Sequence, residues 1–176
     1  MKTIKIGING FGRIGRLFFR QFFGIEGFEI VAINDLGDLE NLAYLLKYDS
    51  VYRTYDKEVR VGNPLTHSTS SGQASSGLNE FFVDNKKVIF VQEKDPTKLP
   101  WGDLGIDIVV EATGAFESFE KSSAHIVAGA KRVVIASPAK DAEGVADGRT
   151  ILAGINEDQL PACKISSNGS CTTNAG

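Results

Sequence analysis

The chain has 176 residues and a formal net charge of −3, with 42% apolar and 23% charged residues, the balance of one globular domain with a proper core. This mild acidity argues against nucleic acid as a partner, and the longest apolar runs, Ile106 to Val110 and Val133 to Ala136, are far too short to span a membrane. No charged and apolar leader precedes the first expected strand, so the sequence reads as a cytoplasmic protein. Its two cysteines, Cys163 and Cys171, and two histidines, His67 and His125, form neither a disulfide framework nor a metal-ligand cluster, and no metal is expected.

Thr3 to Asn9 alternates with period two and passes without a linker into Gly10-Phe11-Gly12-Arg13-Ile14-Gly15. From there Ile14, Leu17, Phe18 and Phe22 follow helical spacing. A second strand, Phe28 to Ile33, ends in Asn34-Asp35, which places an acidic side chain 20 residues past Gly15. A lone G-x-G-x-x-G is a weak signal. Set between a strand and a helix, with an acid closing the next strand, it becomes a dinucleotide-binding fingerprint.

Each residue of the fingerprint has a task. Gly10 permits the tight turn, Gly12 lets a pyrophosphate approach the backbone, and Gly15 lets the helix lie against the strand. The first-turn amides face the phosphate charge, with Arg13 as a nearby cation. Asp35 would accept hydrogen bonds from ribose hydroxyls and repel a 2′-phosphate, which favours NAD over NADP. The competing reading is an ordinary βα turn with Asp35 as a helix cap.

Beyond Asp35, Leu39, Leu42, Ala43, Leu45 and Leu46 continue a helical pattern to Lys47-Tyr48-Asp49-Ser50. Gly62 to Gly77 is rich in serine and glycine without periodicity and reads as a polar surface insert; His67 lies inside it and is given no role. Phe81-Phe82-Val83, Asp84-Asn85-Lys86 and Val88 to Val91 read as a hairpin. Ile106 to Val110 is a short buried strand ending in Glu111-Ala112-Thr113-Gly114, followed by a helix from about Glu117 to Ala130 in which His125 is a packing residue. Val133 to Ala136, closing on Ser137-Pro138, is the next strand, and Ile151 to Ile155 and Lys164 to Ser166 are further candidates. This rhythm predicts an α/β fold with a doubly wound, mainly parallel Rossmann-type sheet. Ligands of such sheets bind beyond the carboxyl ends of the strands, where Gly10, Asp35, Thr113, Ser137 and Cys171 all fall.

Cys171 stands in Ser166-Ser167-Asn168-Gly169-Ser170-Cys171-Thr172-Thr173-Asn174. A structural cysteine normally sits among apolar residues, whereas these neighbours are polar or glycine, so the residue reads as a nucleophile. A helix opening at Cys171 would place its positive end beside the sulfur, with Ser170 as cap.

Ile8-Asn9-Gly10-Phe11-Gly12-Arg13-Ile14-Gly15-Arg16 and Ser167 to Asn174 together resemble phosphorylating glyceraldehyde-3-phosphate dehydrogenase. Ile33-Asn34-Asp35, Leu46-Lys47-Tyr48-Asp49-Ser50, Pro100-Trp101-Gly102, Ala112-Thr113-Gly114, Ala128 to Val133 and Gly154-Ile155-Asn156 fall in the family's order. The likeness covers nearly the whole chain apart from the polar insert, and about the first half of a family member. It implies that residues 1–170 are an NAD-binding Rossmann domain, with the insert at about 62–77. Residues 171–176 would open a catalytic α+β domain whose remainder is absent from this chain.

The resemblance also assigns roles. Cofactor-binding positions are Asn9, Gly10, Phe11, Gly12, Arg13, Ile14, Gly15, Asn34, Asp35, Lys94, Thr113, Gly114, Phe116, Ala136 and Ser137. Cys171 is the implied catalytic nucleophile, and Ser170, Cys171 and Thr172 the substrate-binding segment. Three positions depart from the family: Lys94 stands where arginine is usual, Ala136-Ser137-Pro138 inverts Ser-Ala-Pro, and Ala175 replaces a second cysteine. The implied reaction oxidises glyceraldehyde 3-phosphate to 1,3-bisphosphoglycerate in glycolysis. Cys171 attacks the aldehyde, hydride passes to NAD, and inorganic phosphate cleaves the thioester. The family's histidine base and phosphate-binding arginines fall beyond Gly176, and a full-length member is a homotetramer. Two alternatives stay open: erythrose-4-phosphate dehydrogenase, which shares both terminal motifs, and a catalytically silent NAD-binding fragment.

Overall fold

The computed structural model describes residues 2–62 and 79–174. The polar insert from residue 63 onward, with His67, lies outside the described residues, as does Ala175. In chain order the elements are β1 (Ile4–Asn9), α1 (Arg13–Phe22), β2 (Phe28–Asn34), α2 (Leu39–Lys47), β3 (Tyr48–Asp49), β4 (Arg53–Thr54), β5 (Val59–Val61), β6 (Asn79–Val83) and β7 (Lys86–Val91). The chain continues through β8 (Ile108–Glu111), α3 (Phe119–Val127), β9 (Arg132–Ile135), β10 (Gly148–Thr150), β11 (Ile165–Ser167) and α4 (Cys171–Asn174).

The main sheet runs β10-β11-β9-β8-β1-β2-β7-β6-β5. It is parallel from β10 through β7, and β6 and β5 add an antiparallel edge. The mainly parallel α/β sheet expected from sequence is therefore the observed one. β1 pairs with β2 on one side and with β8 on the other, so the crossovers from β1 diverge at its carboxyl end. Such a divergence leaves a crevice between the loops, the usual seat of a ligand in doubly wound sheets.

Alternation along the strands sorts the core onto two faces. Ile6, Ile8, Ile30, Ile33 and Val110 join Phe11, Phe19 and the α2 leucines in one cluster. Ala32 and Val109 look the other way, onto Trp101 and Ile106. Gly7 is open on that second face because a Cβ there would sit 3.0 Å from the Trp101 ring. The hairpin turns at Asp84-Asn85, both left-handed at φ 46° and 64°, the geometry of a two-residue primed turn.

Two local expectations are corrected. Ile151 to Ile155 is not a strand: the pairing residues are Gly148–Thr150, and Asn156 folds the following segment into a turn. Its Oδ1 accepts from Leu152 N at 2.8 Å and its Nδ2 donates to Thr150 O at 3.0 Å. A polar residue just past an apolar run has out-competed the ladder for its backbone groups. On α1, Ile14 does not share the inward face. The helix seats itself on Gly15 and Phe19, both buried, and Ile14 stays 51% exposed.

Candidate functional site

The carboxyl ends of β1, β2 and β8 surround a cleft of about 420 Å³ lined by Asn9, Gly10, Gly12, Asn34, Asp35, Leu36, Glu93, Lys94, Pro96, Ala112, Thr113, Ala115 and Phe116. Across the glycine turn a smaller hollow of about 220 Å³ is lined by Ile14, Glu111, Ala112, Thr113, Gly114, Ala136 and Ser137. Of the expected cofactor positions, all but Phe11, Arg13 and Gly15 border one of these two spaces. Arg13 is exposed at the start of α1, whereas Phe11 and Gly15 are buried beneath the turn. Phe11 contributes its backbone: its N–H donates to Asp35 Oδ2 at 2.6 Å, while its ring meets Phe19 edge-on at 5.6 Å.

Asp35 therefore closes the turn as well as facing the cleft. Its second oxygen accepts from Gly37 N at 2.8 Å. The cap of α2 is Asp38, which accepts from Asn41 N at 2.8 Å, so Asp35 is not spent on capping that helix. Gly10 holds φ 91°. Gly12 precedes α1 with no capping side chain, and among the described residues a Cβ on it would meet nothing within 4 Å. That open space, bordered by uncapped first-turn amides, suits a pyrophosphate, and the carboxylate on the β2 side suits the ribose diol. The residues present thus fit a dinucleotide.

Asn9, Asn34 and Glu111 are one rung of the sheet, for Asn9 is the register partner of both others. All three are buried on the face that carries Trp101 and α3. Asn34 Nδ2 donates to Asn9 Oδ1 at 2.7 Å and to Glu93 O at 2.9 Å, and its Oδ1 accepts from Glu93 N at 2.9 Å. The amides of both asparagines are thereby turned into the protein and tie the walls of the cleft together. Glu111 Oε1 accepts from Thr113 N at 2.8 Å and from the Thr113 hydroxyl, which fixes Thr113 at the rim. Beside Lys94, the Thr97 hydroxyl and amide hold the exposed Asp95 carboxyl below the usual carboxylate range.

The cysteine segment leaves β11, which lies beyond β9 from the cleft strands. Asn168 N donates to Ile135 O at 3.1 Å. The buried Ser167 hydroxyl donates to Ser137 O at 2.7 Å and accepts from Ala139 N at 3.2 Å and Gly169 N at 3.1 Å. Ser170 Oγ accepts from Thr172 N at 3.2 Å and Ser170 O from Asn174 N at 3.1 Å, so Ser170 caps the turn that begins at Cys171. Cys171 is exposed. It shares the strand-end edge with the cleft, but Ser170, Cys171 and Thr172 line neither space. Sequence reasoning missed the lining by Leu36, Glu93, Pro96, Ala112 and Ala115 and the anchoring by Glu111 and Ser167. For Glu111 a signal existed, since an acid closing a buried apolar strand needs partners.

A profile described as the glyceraldehyde 3-phosphate dehydrogenase NAD binding domain matches residues 4–119. Glyceraldehyde-3-phosphate dehydrogenase of Geobacillus stearothermophilus is 44% identical over 174 residues, covering 98% of this chain and 46% of that protein. The Mycoplasma pneumoniae protein of the same name is 45% identical over 174 residues, with coverages of 98% and 46%. Glyceraldehyde-3-phosphate dehydrogenase B of Aspergillus oryzae is 40% identical over 173 residues, again 98% and 46%. The chain spans a little under half the length of these curated relatives. Its glycine turn, its Asp35 cleft and these matches together place the chain in the glyceraldehyde-3-phosphate dehydrogenase family, as the NAD-binding half.

Proposed function

We propose that the chain is the cofactor-binding part of an NAD-dependent, phosphorylating glyceraldehyde-3-phosphate dehydrogenase, with Cys171 as its nucleophile. The observation that carries this reading is the shared edge: the glycine turn, Asp35, Thr113 and Cys171 all stand at carboxyl ends of one parallel sheet. Residues 1–170 form the NAD-binding domain and 171–176 open the catalytic one. Arg13, Ile14 and the first-turn amides hold the pyrophosphate, Asp35 the adenosine ribose, and Thr113, Gly114, Ala136 and Ser137 border the nicotinamide end.

NAD, when bound, supplies the acceptor for the hydride that leaves the substrate carbon. Cys171 Sγ, as thiolate, adds to the aldehyde carbon, and after oxidation carries the acyl group as a thioester. Attack by an oxygen of inorganic phosphate breaks the carbon–sulfur bond, releases the acyl phosphate and returns the thiolate. Ser170 and Thr172, on either side of Cys171, complete the substrate-binding segment. The partners are thus a phosphorylated aldehyde and inorganic phosphate, in the cytoplasm. The half-exposed or more open Tyr44, Tyr48, Val51 and Tyr52 offer a surface for association between subunits, which the family likeness makes a homotetramer of the full-length protein.

The test is phosphate-dependent reduction of NAD by glyceraldehyde 3-phosphate in the full-length protein. Cys171→Ser should abolish turnover and leave NAD binding intact; retained turnover would sink the nucleophile assignment. A preference for erythrose 4-phosphate would move the substrate and keep the chemistry. The 176-residue chain alone should bind NAD without turnover, since losing general acid–base assistance typically costs about 100- to 10,000-fold.

A further inference from the structure

Glu111 is 2% exposed, and its carboxylate collects four hydrogen bonds. Two come from Thr113 to Oε1; Asn9 Nδ2 and His125 Nε2, the latter at 3.0 Å, converge on Oε2. Donor directions are fixed from both ends of this network. At one end the Glu93 amide occupies Asn34 Oδ1, so Asn34 Nδ2 must face Asn9 Oδ1 and Asn9 Nδ2 must face Glu111. At the other, Trp101 Nε1 can only donate, and it donates to His125 Nδ1 at 3.1 Å.

His125 therefore carries its hydrogen on Nε2 and is a neutral donor to Glu111, so the contact between them is a hydrogen bond rather than an ion pair. All four donors are uncharged. Among the described residues Glu111 has no lysine or arginine partner, and a buried negative charge is left well solvated by hydrogen bonds but not neutralised. The residue borders the hollow on the far side of the glycine turn from Asp35, with its carboxylate held inside the wall, the side chain 1% exposed. A dinucleotide with its adenosine ribose at Asp35 and its pyrophosphate over Gly12 would extend its other ring toward that hollow.

We propose that Glu111 is a fixed anion beneath the nicotinamide end of the cleft that favours binding of the oxidised, pyridinium form of the cofactor over the reduced form, and that holds Thr113 in place there. The inference rests on the NAD-binding reading above. The oxidised ring carries a positive charge and the reduced ring none, while the pyrophosphate and adenosine are common to both. The change in the ratio of the two affinities when Glu111 alone is altered thus reports the interaction of ring and carboxylate. In a partly desolvated site one unit charge acts over several ångströms, so the ratio should respond by about 5- to 20-fold.

The measurement is calorimetric titration of the full-length protein with NAD and with NADH. Glu111→Gln keeps the shape and removes the charge, and should weaken NAD about 5- to 20-fold more than NADH. The pair Asn9→Asp with Glu111→Gln returns a carboxylate one hydrogen bond away, gives the new amide an acceptor, and should bring the ratio back toward wild type. Equal loss for both cofactor forms in E111Q would overturn the proposal. Should E111Q not fold, the wild-type protein decides: a dinucleotide whose pyridinium is replaced by an uncharged benzamide ring should bind about 5- to 20-fold more weakly than NAD, and equal binding overturns the proposal. Failure of the wild type to bind either cofactor form would instead bring down the NAD reading and this inference with it.

Discussion

A Cβ on Gly15 would fall 2.1 Å from the Gly10 carbonyl oxygen, so α1 can lie against the glycine turn only because residue 15 has no side chain. Gly12, two residues past Gly10, meets nothing in the same test. The two glycines should therefore separate experimentally. Gly15→Ala should lose at least about 1–3 kcal/mol of stability as helix and turn are forced apart, visible as a lowered thermal midpoint. Gly12→Ala should keep its fold and lose NAD affinity, because the methyl group enters the space assigned to the pyrophosphate. Normal NAD binding by G12A would remove that assignment.

The two cysteines should differ in reactivity. Cys163 is 3% exposed, its Sγ donates to Leu160 O at 3.4 Å, and burial pushes its thiol above the usual range. Cys171 is exposed on the opposite flank of β11. Iodoacetamide should alkylate Cys171 first, as peptide mass mapping would show, since access and thiolate fraction set the rate. Equal labelling would remove the case for selective access.

Asp141 couples a loop to a helix and should make stability sensitive to acid. Its oxygens accept from Phe119 N at 2.8 Å and Glu120 N at 2.9 Å, capping α3 together with Ser118. Burial pushes this carboxyl up, but the Glu120 and Phe119 amides outweigh it and hold it below the usual range. A depressed folded value means stabilisation present above the unfolded value near pH 4 and lost as pH falls through the folded one. Asp141→Asn should cost about 0.5–1 kcal/mol at neutral pH, the low end for a cap because the site is solvent-screened. In urea titrations the gap from wild type should close below about pH 4; a gap that widens in acid would contradict the cap.

Ser167 has one hydroxyl in contact with three backbone groups, at Ser137, Ala139 and Gly169. Ser167→Ala leaves them unpaired in the interior and should cost about 1–3 kcal/mol. Because Gly169 belongs to the Cys171 segment and Ser137 and Ala139 to the loop it is tied to, hydrogen exchange should rise at Asn168 to Ser170 first. Uniform exchange across the sheet would mean the hydroxyl anchors nothing local.

The glycine turn, the period-two strands and the acid after β2 were legible because each is a local pattern with one physical solution. Ile151 to Ile155 misled because its apolar run resembles a strand, and only Asn156, reaching back to Leu152 and Thr150, decides otherwise. Ile14 misled for a related reason. Helical spacing shows which residues share a face, but the contact of Gly15 with Gly10 decides which face turns inward.

By itself the sequence determined the α/β class, the dinucleotide fingerprint and the polar setting of Cys171, since backbone freedom at glycine and side-chain period are properties of short segments. Only the tertiary structure decided that Asn34, Asn9 and Glu111 form one rung, that Trp101 reaches His125, and that Ser167 ties the cysteine segment to the loop after β9. Those contacts join residues 24 to 102 positions apart, and the register that aligns them is set by packing across the whole sheet rather than by any one strand.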